Sequence, residues 1–176
     1  MATTRLASLA AGIVLGVCVG AAQAQDIFLT TGHWRDDRSQ GFQLAALRGA
    51  PALVTMAYGA CRRVCSTSLR LLEQLQALAD QRHVTLNFVV IGIDPTQDMP
   101  ADWADYRAEH KLNRPNWQFL SGDEESIRQM ANQLGVRYWR YGEHTLHDFK
   151  IVLLSADGHV VRSADRVDQD MAALLP

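Results

Sequence analysis

The chain has 176 residues, three of them cysteine, and carries 17 basic against 19 acidic side chains, a formal charge of −2. That length fits one domain. The slight acidity and the lack of any Lys/Arg block argue against a nucleic-acid binder and against a polybasic membrane-surface patch.

The first stretch stands apart from the rest. Arg5 supplies a basic start, Leu6 to Ala22 is an apolar run, and Ala22-Gln23-Ala24 has the small-x-small form of a cleavage site, so residues 1–24 read as a signal peptide. Cleavage after Ala24 leaves a mature domain of 152 residues, 25–176, with charge −3, long enough to bury a core without staples. An uncleaved anchor is the alternative, because the run approaches spanning length. A lipid anchor on Cys18 fits less well, since Val17 stands where a small residue should precede the acylated cysteine. No later apolar run approaches the ~20 residues that span a bilayer. The expected location is the bacterial periplasm, with no membrane span once the signal is removed.

Residues 25–50 are polar and turn-rich and read as an irregular or hairpin lead-in. Pro51 opens the short apolar run Ala52 to Tyr58, which predicts a buried strand. After Gly59 to Cys65, the residues Leu71, Leu72, Leu75, Leu78 and Ala79 recur at helical spacing, predicting a helix from about Cys65 to Asp80. Val84 to Ile93 is a nearly continuous apolar run, the pattern of a strand covered on both faces. Asp94-Pro95 ends it, and Pro100 starts a helix to about Lys111. Asn116 to Leu120 predicts a short strand. Ser121-Gly122-Asp123-Glu124 fits a capping box ahead of the stripe Ile127, Met130, Ala131 and Leu134, which stops at Gly135. Phe149–Leu154 and His159–Arg162 flank Asp157-Gly158, a hairpin signal, and Val167 to Leu175 predicts a last helix. The alternation predicts an α/β domain, a central mixed sheet flanked by helices, with no repeat and no second domain.

Cys18 leaves with the signal, so the mature chain keeps Cys61 and Cys65 alone. Two cysteines placed at random would lie four apart only about 1% of the time, so the spacing asks for a reason. An oxidising compartment allows a structural disulfide, a redox pair or a metal site. A bridge over so short a loop stabilises less than a long-range one would. The pair sits at a strand-to-helix turn, where free N–H groups favour a thiolate, and Arg62 and Arg63 favour it further. Two thiolates at this spacing can chelate a soft ion. Copper(I) suits them, and an imidazole would complete a three-coordinate site that also holds copper(II). His33, His83, His110, His144, His147 and His159 are the choices. His147 stands out because a central-looking strand begins just after it, and His144, three residues away, stays open.

These residues resemble the Sco/SenC family, thioredoxin-fold copper metallochaperones for cytochrome oxidase assembly. The resemblance runs from about Phe42 to Arg162. Phe42 to Gly49 looks like the family's lead-in, and Tyr58-Gly59-Ala60-Cys61 to Cys65 like its tyrosine and CxxxC motif. Ile93 to Asp98 resembles its DPxxD segment, Trp117 to Gly122 its tryptophan–leucine–x–glycine stretch, and His147 its metal-binding histidine. The resemblance implies a thioredoxin-like fold with Cys61, Cys65 and His147 as copper ligands. It also implies that Asp94 and Asp98 face the metal site or partner and tune it. Read without it, Asp94 is a turn residue before proline, Asp98 a cap near Pro100, and Tyr58 a strand-end tyrosine packed on the core. Trp34, Trp103, Trp117 and Trp139 read as core or surface packing.

The chain departs from the family pattern in lacking proline after each cysteine and an acid between them. Arg62 and Arg63 stand there instead, and Leu146 precedes His147 where aspartate is usual. Two arginines disfavour copper(II) more than copper(I), because the repulsion scales with the ion's charge.

The leading expectation is an exported copper-binding protein that delivers copper or electrons to a protein partner, such as a cytochrome oxidase subunit. Reduced Cys61 and Cys65 would bind and the disulfide form would not. The alternatives are a thiol–disulfide oxidoreductase, in which Cys61 attacks and Cys65 resolves, and an interaction module with a structural Cys61–Cys65 disulfide.

Overall fold

A computed structural model describes residues 25–59 and 66–176. Among them the chain runs through β1 (Trp34–Asp36), β2 (Gly41–Phe42), β3 (Ala52–Ala57), α1 (Ser66–Gln81), β4 (Asn87–Gly92) and α2 (Pro100–Glu109). It continues through β5 (Trp117–Gly122), α3 (Glu124–Leu134), β6 (Tyr138–Tyr141), β7 (His144–His147), β8 (Ile151–Leu154) and β9 (Val160–Ala164). The main sheet of the described residues has seven strands in the order β2-β1-β5-β4-β3-β8-β9. β3, β4 and β5 are parallel, joined by helical crossovers, while β1 and β8 add antiparallel to either side of that trio. This central mixed sheet flanked by helices is the thioredoxin-like fold.

Each central strand is buried on both faces and divides its side chains by period-2 alternation. Val54, Met56, Val89 and Ile91 face one layer, where α3 lays down Ile127, Met130, Ala131 and Leu134. Leu53, Ala57, Phe88 and Val90 face the other, against Leu69, Leu72, Leu75 and Ala79 of α1 and Trp103 of α2. Trp117 stacks on Phe88 with ring centroids 4.9 Å apart. Its indole N–H, which has no water to turn to, donates to Gln76 Oε1 at 2.9 Å.

α3 begins where Asp123 accepts the Ser126 N–H at 2.8 Å and ends at Gly135, which takes the left-handed conformation at φ 66°. The capping-box reading of Ser121 is therefore corrected. β1 pairs antiparallel with β5 through Trp34↔Gly122 and Arg35↔Ser121, which carries the strand two residues further, and the Ser121 hydroxyl donates to the Asp98 carbonyl at 2.6 Å. Three other expectations shift. β4 starts at Asn87, because its pairing with β3 begins at Ala52↔Asn87. β8 starts at Ile151, opposite Thr55. The tail forms one 3-10 turn, Met171–Leu174, capped by Asp170. A second sheet, the β6–β7 hairpin, has no counterpart among the predicted elements.

Candidate metal centre

Cys61 and Cys65 lie outside the described residues. The described chain stops at Gly59, two residues past the end of β3, and resumes at Ser66, the first residue of α1. The carboxyl ends of parallel strands are where such sheets place their sites.

Two buried aspartates organise this end of the sheet. Both Asp94 and Asp98 are 1% exposed. Asp98 Oδ1 accepts the Gly59 N–H at 2.7 Å, two residues before Cys61. Its Oδ2 accepts the N–H groups of Ile93 and Asp94, each at 2.8 Å. Burial pushes the Asp98 carboxyl up to about 7, although the three N–H donors act in the opposite direction. Glycine at 92 permits this approach, since a Cβ there would lie 2.5 Å from the Asp98 Cβ.

Asp94 faces the hairpin. Its Oδ1 accepts from the Thr96 N–H at 2.9 Å and the Thr96 hydroxyl at 2.6 Å. Its Oδ2 accepts from the Thr145 hydroxyl at 2.9 Å and from Arg140 Nη2 at 3.0 Å. Burial would raise the Asp94 carboxyl, but these donors and the guanidinium charge together hold it below its ordinary value. Tyr58, buried at the end of β3, donates its phenolic hydrogen to Gln97 Oε1 at 2.7 Å. The strand-end tyrosine is thus packed on the core with its hydroxyl turned to Gln97.

His147 closes β7 and is half-buried. Its Nδ1 lies 2.9 Å from the Asp148 carbonyl. A carbonyl can only accept, so the ring donates from Nδ1 and carries its lone pair on Nε2, the tautomer a metal-ligating histidine needs. Burial lowers the His147 pKa against the opposing pull of Asp148, which favours the neutral ring. The Arg137–Asp148 ion pair, at 2.8 Å, and the Asp148 N–H donating to the Arg137 carbonyl close the base of the hairpin beside it. The chain then enters β8, where the Thr55 hydroxyl donates to the Lys150 carbonyl at 2.8 Å. His147 is thereby carried at the C-terminal end of β3, the end that Gly59 follows.

The other histidines sit elsewhere. His33 pairs with Asp123, His83 follows the far end of α1, and His110 stacks on Tyr106 after α2. His159 lies in the β8–β9 turn, near the N-terminal end of β3. His144, the alternative three residues away, is at the hairpin tip. There it lines an open cleft of about 420 Å³ with Tyr58, Gln97, Arg140, Gly142 and Glu143. Two thiolates and a neutral imidazole are a donor set that fits copper. Arg140 and Thr145, which bind Asp94, carry no signal at the level of sequence, standing 46 and 51 positions away from it.

The family model described as SCO1/SenC matches residues 25–174. The SCO1 protein homolog of Bacillus subtilis is 21% identical over 139 residues, covering 77% of this chain and 72% of that protein. The chain spans half the length of the SCO2-like proteins of Rickettsia that it also matches. Among solved structures, Bradyrhizobium japonicum ScoI with copper bound superposes with a TM-score of 0.65 at 25% identity, covering 81% of this chain and 92% of that one. BsSco, a member of the Sco family of cytochrome c oxidase assembly proteins in which a disulfide switch is identified, gives a TM-score of 0.68 at 19% identity. That match covers 84% of this chain and 90% of BsSco.

Proposed function

The chain belongs to the SCO1/SenC family, and on that premise we propose that it is an exported copper-binding protein whose ligands are Cys61, Cys65 and His147. One ion is the cargo. The reduced thiols hold it with the imidazole, and it passes to a protein partner, a cytochrome oxidase subunit being the chemistry that fits. Oxidation of the pair to a disulfide removes both thiolates and closes the site. Residues 1–24 act as the leader, and the folded domain works in the periplasm. No helix among the described residues is long and apolar enough to cross a membrane.

The observation that carries this reading is the pair Asp94 and Asp98. One loop holds Gly59, at the entrance to the cysteine segment, and the hairpin that bears His147. Copper bound to ScoI and the disulfide switch of BsSco support copper and redox gating respectively. A thioredoxin-like fold with α1 starting directly after Cys65 also favours a second reading, thiol–disulfide exchange. In it the Cys61 thiolate attacks a partner's disulfide and displaces one partner thiolate. Cys65 then attacks the mixed disulfide, releasing the second thiol, and two electrons leave as Cys61 and Cys65 join.

The deciding experiment is an anaerobic copper titration of the reduced domain beside Cys61→Ser, Cys65→Ser and His147→Ala. Copper(I) is read by chelator competition and copper(II) by its sulfur-to-copper charge-transfer band. The expected result is one tight equivalent lost with either cysteine, with copper(II) also lost in His147→Ala. Binding of neither valence, with reductase activity that survives His147→Ala, would replace the copper reading by the second one.

A further inference from the structure

The β6–β7 hairpin stands outside the main sheet, so something other than ladder bonds to that sheet must fix where His147 sits. Its register pairs Arg140 with Thr145 and, on the next rung of the same face, Tyr138 with His147. Tyr138 packs on the core. Arg140 and Thr145 both donate to Oδ2 of Asp94, while Oδ1 is served within its own loop by Thr96. Lifting the hairpin away would strip both of these donors from a carboxylate oxygen that is fully buried, an outcome the interior resists. Asp94 is in turn fixed by its N–H to Asp98, and Asp98 holds Gly59.

Resting on the copper reading above, we propose that Thr145 and Arg140 are positioning residues for His147. Through Asp94 and Asp98 they form a strut of hydrogen bonds that sets the imidazole at a fixed place relative to the cysteine segment. Thr145 and His147 are two positions apart on one strand face, so displacement of the Thr145 rung moves the His147 rung with it. The strut matters for copper(II), which requires the third ligand. Copper(I), content with two thiolates, depends on it less.

The test uses Thr145→Val, which keeps the side chain's shape and removes the hydroxyl, with Thr145→Ser as the conservative rescue and Arg140→Gln as the milder second lesion. Two readouts are made on the reduced domain. The first, without metal, is amide hydrogen exchange along Tyr138–His147 compared with β3 and β4. The second is copper(II) and copper(I) affinity. Thr145→Val is expected to speed exchange in the hairpin alone and to weaken copper(II) about tenfold or more, the usual size of an outer-shell loss. Copper(I) affinity should hold, and Thr145→Ser should restore wild-type behaviour in both. Unchanged hairpin exchange, equal loss of protection throughout the domain, or faster hairpin exchange with unchanged copper(II) affinity would each overturn the proposal. Should the wild-type chain bind no copper of either valence, the copper reading fails by itself. The exchange arm then decides the strut, with a rise confined to the hairpin supporting it and no rise overturning it.

Discussion

Gly92 and Asp98 pack so closely that a methyl group on Gly92 would stand 2.5 Å from the Asp98 Cβ and 3.1 Å from Trp103 Nε1. Neither neighbour can withdraw, because Asp98 is fixed by three backbone donors and Trp103 is buried in the core. Gly92→Ala is expected to destabilise the domain by about 1–3 kcal/mol, the usual range for overpacking. At Gly59 the same methyl would meet Asp98 and Trp103 at 3.2 Å, so Gly59→Ala should cost less. Urea midpoints of the two variants check the order.

The Asp98 carboxyl, raised from 3.8 to about 7 by burial, makes stability fall with alkalinity. Between these values the folded state holds a proton that the unfolded state has released, so the slope of unfolding free energy with pH is negative. The contribution is complete below about pH 4 and is lost as pH rises through about 7. Urea melts at pH 5 and pH 8 should show this decline in the wild type. Asp98→Asn should be less stable at pH 5, where its amide meets backbone N–H groups, and should show a smaller change between the two pH values.

Gln76 Oε1 accepts from two donors, the Trp117 indole at 2.9 Å and the Asn116 amide at 2.9 Å, and the Asn116 amide also donates to the Leu86 carbonyl at 3.0 Å. Gln76→Met keeps the volume and removes the acceptor, leaving a buried indole N–H without a partner. The expected loss is about 1–3 kcal/mol, measured by thermal or urea unfolding, with copper binding unchanged because α1 and β5 remain in place.

Asp123 caps α3 and also faces His33. The Ser126 hydroxyl and N–H, followed by His33, bring its carboxyl down to about 2. Asp123→Ala should cost about 1 kcal/mol, a typical cap loss. The cap's charge-dependent part is present above the ordinary carboxylate value and fades as pH falls from about 4 toward 2. Comparing wild type and Asp123→Ala across that range should show the two converging.

The frame of the fold was legible because its signals are local. Ala52 to Tyr58 and Leu86 to Ile93 are apolar runs that become strands covered on both sides, and the Ile127–Leu134 stripe is one helical face. Ser121 misled because a serine two residues before an aspartate imitates a cap, whereas pairing with β1, 80 or more positions away, holds it in a strand. The β6–β7 hairpin was illegible for a different reason, since its polarity is reversed. Trp139, Tyr141 and Leu146 face solvent while Thr145 turns inward to Asp94. A pattern reader expects the opposite. In the site, His147, Asp94 and Asp98 stand out in the sequence, but their roles as tether and tethered come only from contacts between segments far apart in the chain.

That reversed hairpin has an evolutionary consequence. Trp139 and Leu146 sit opposite each other on the outer side, with Tyr141 beside them, and the polar rung beneath is what fastens the hairpin to the body. Folding places little constraint on the outer residues, while on the inner rung Thr145 is buried against Asp94. Substitutions of Trp139, Tyr141 or Leu146 can therefore accumulate while the bond from Thr145 to Asp94 stays in place, so the outer side of residues 138–147 is free to change under a fixed inner contact.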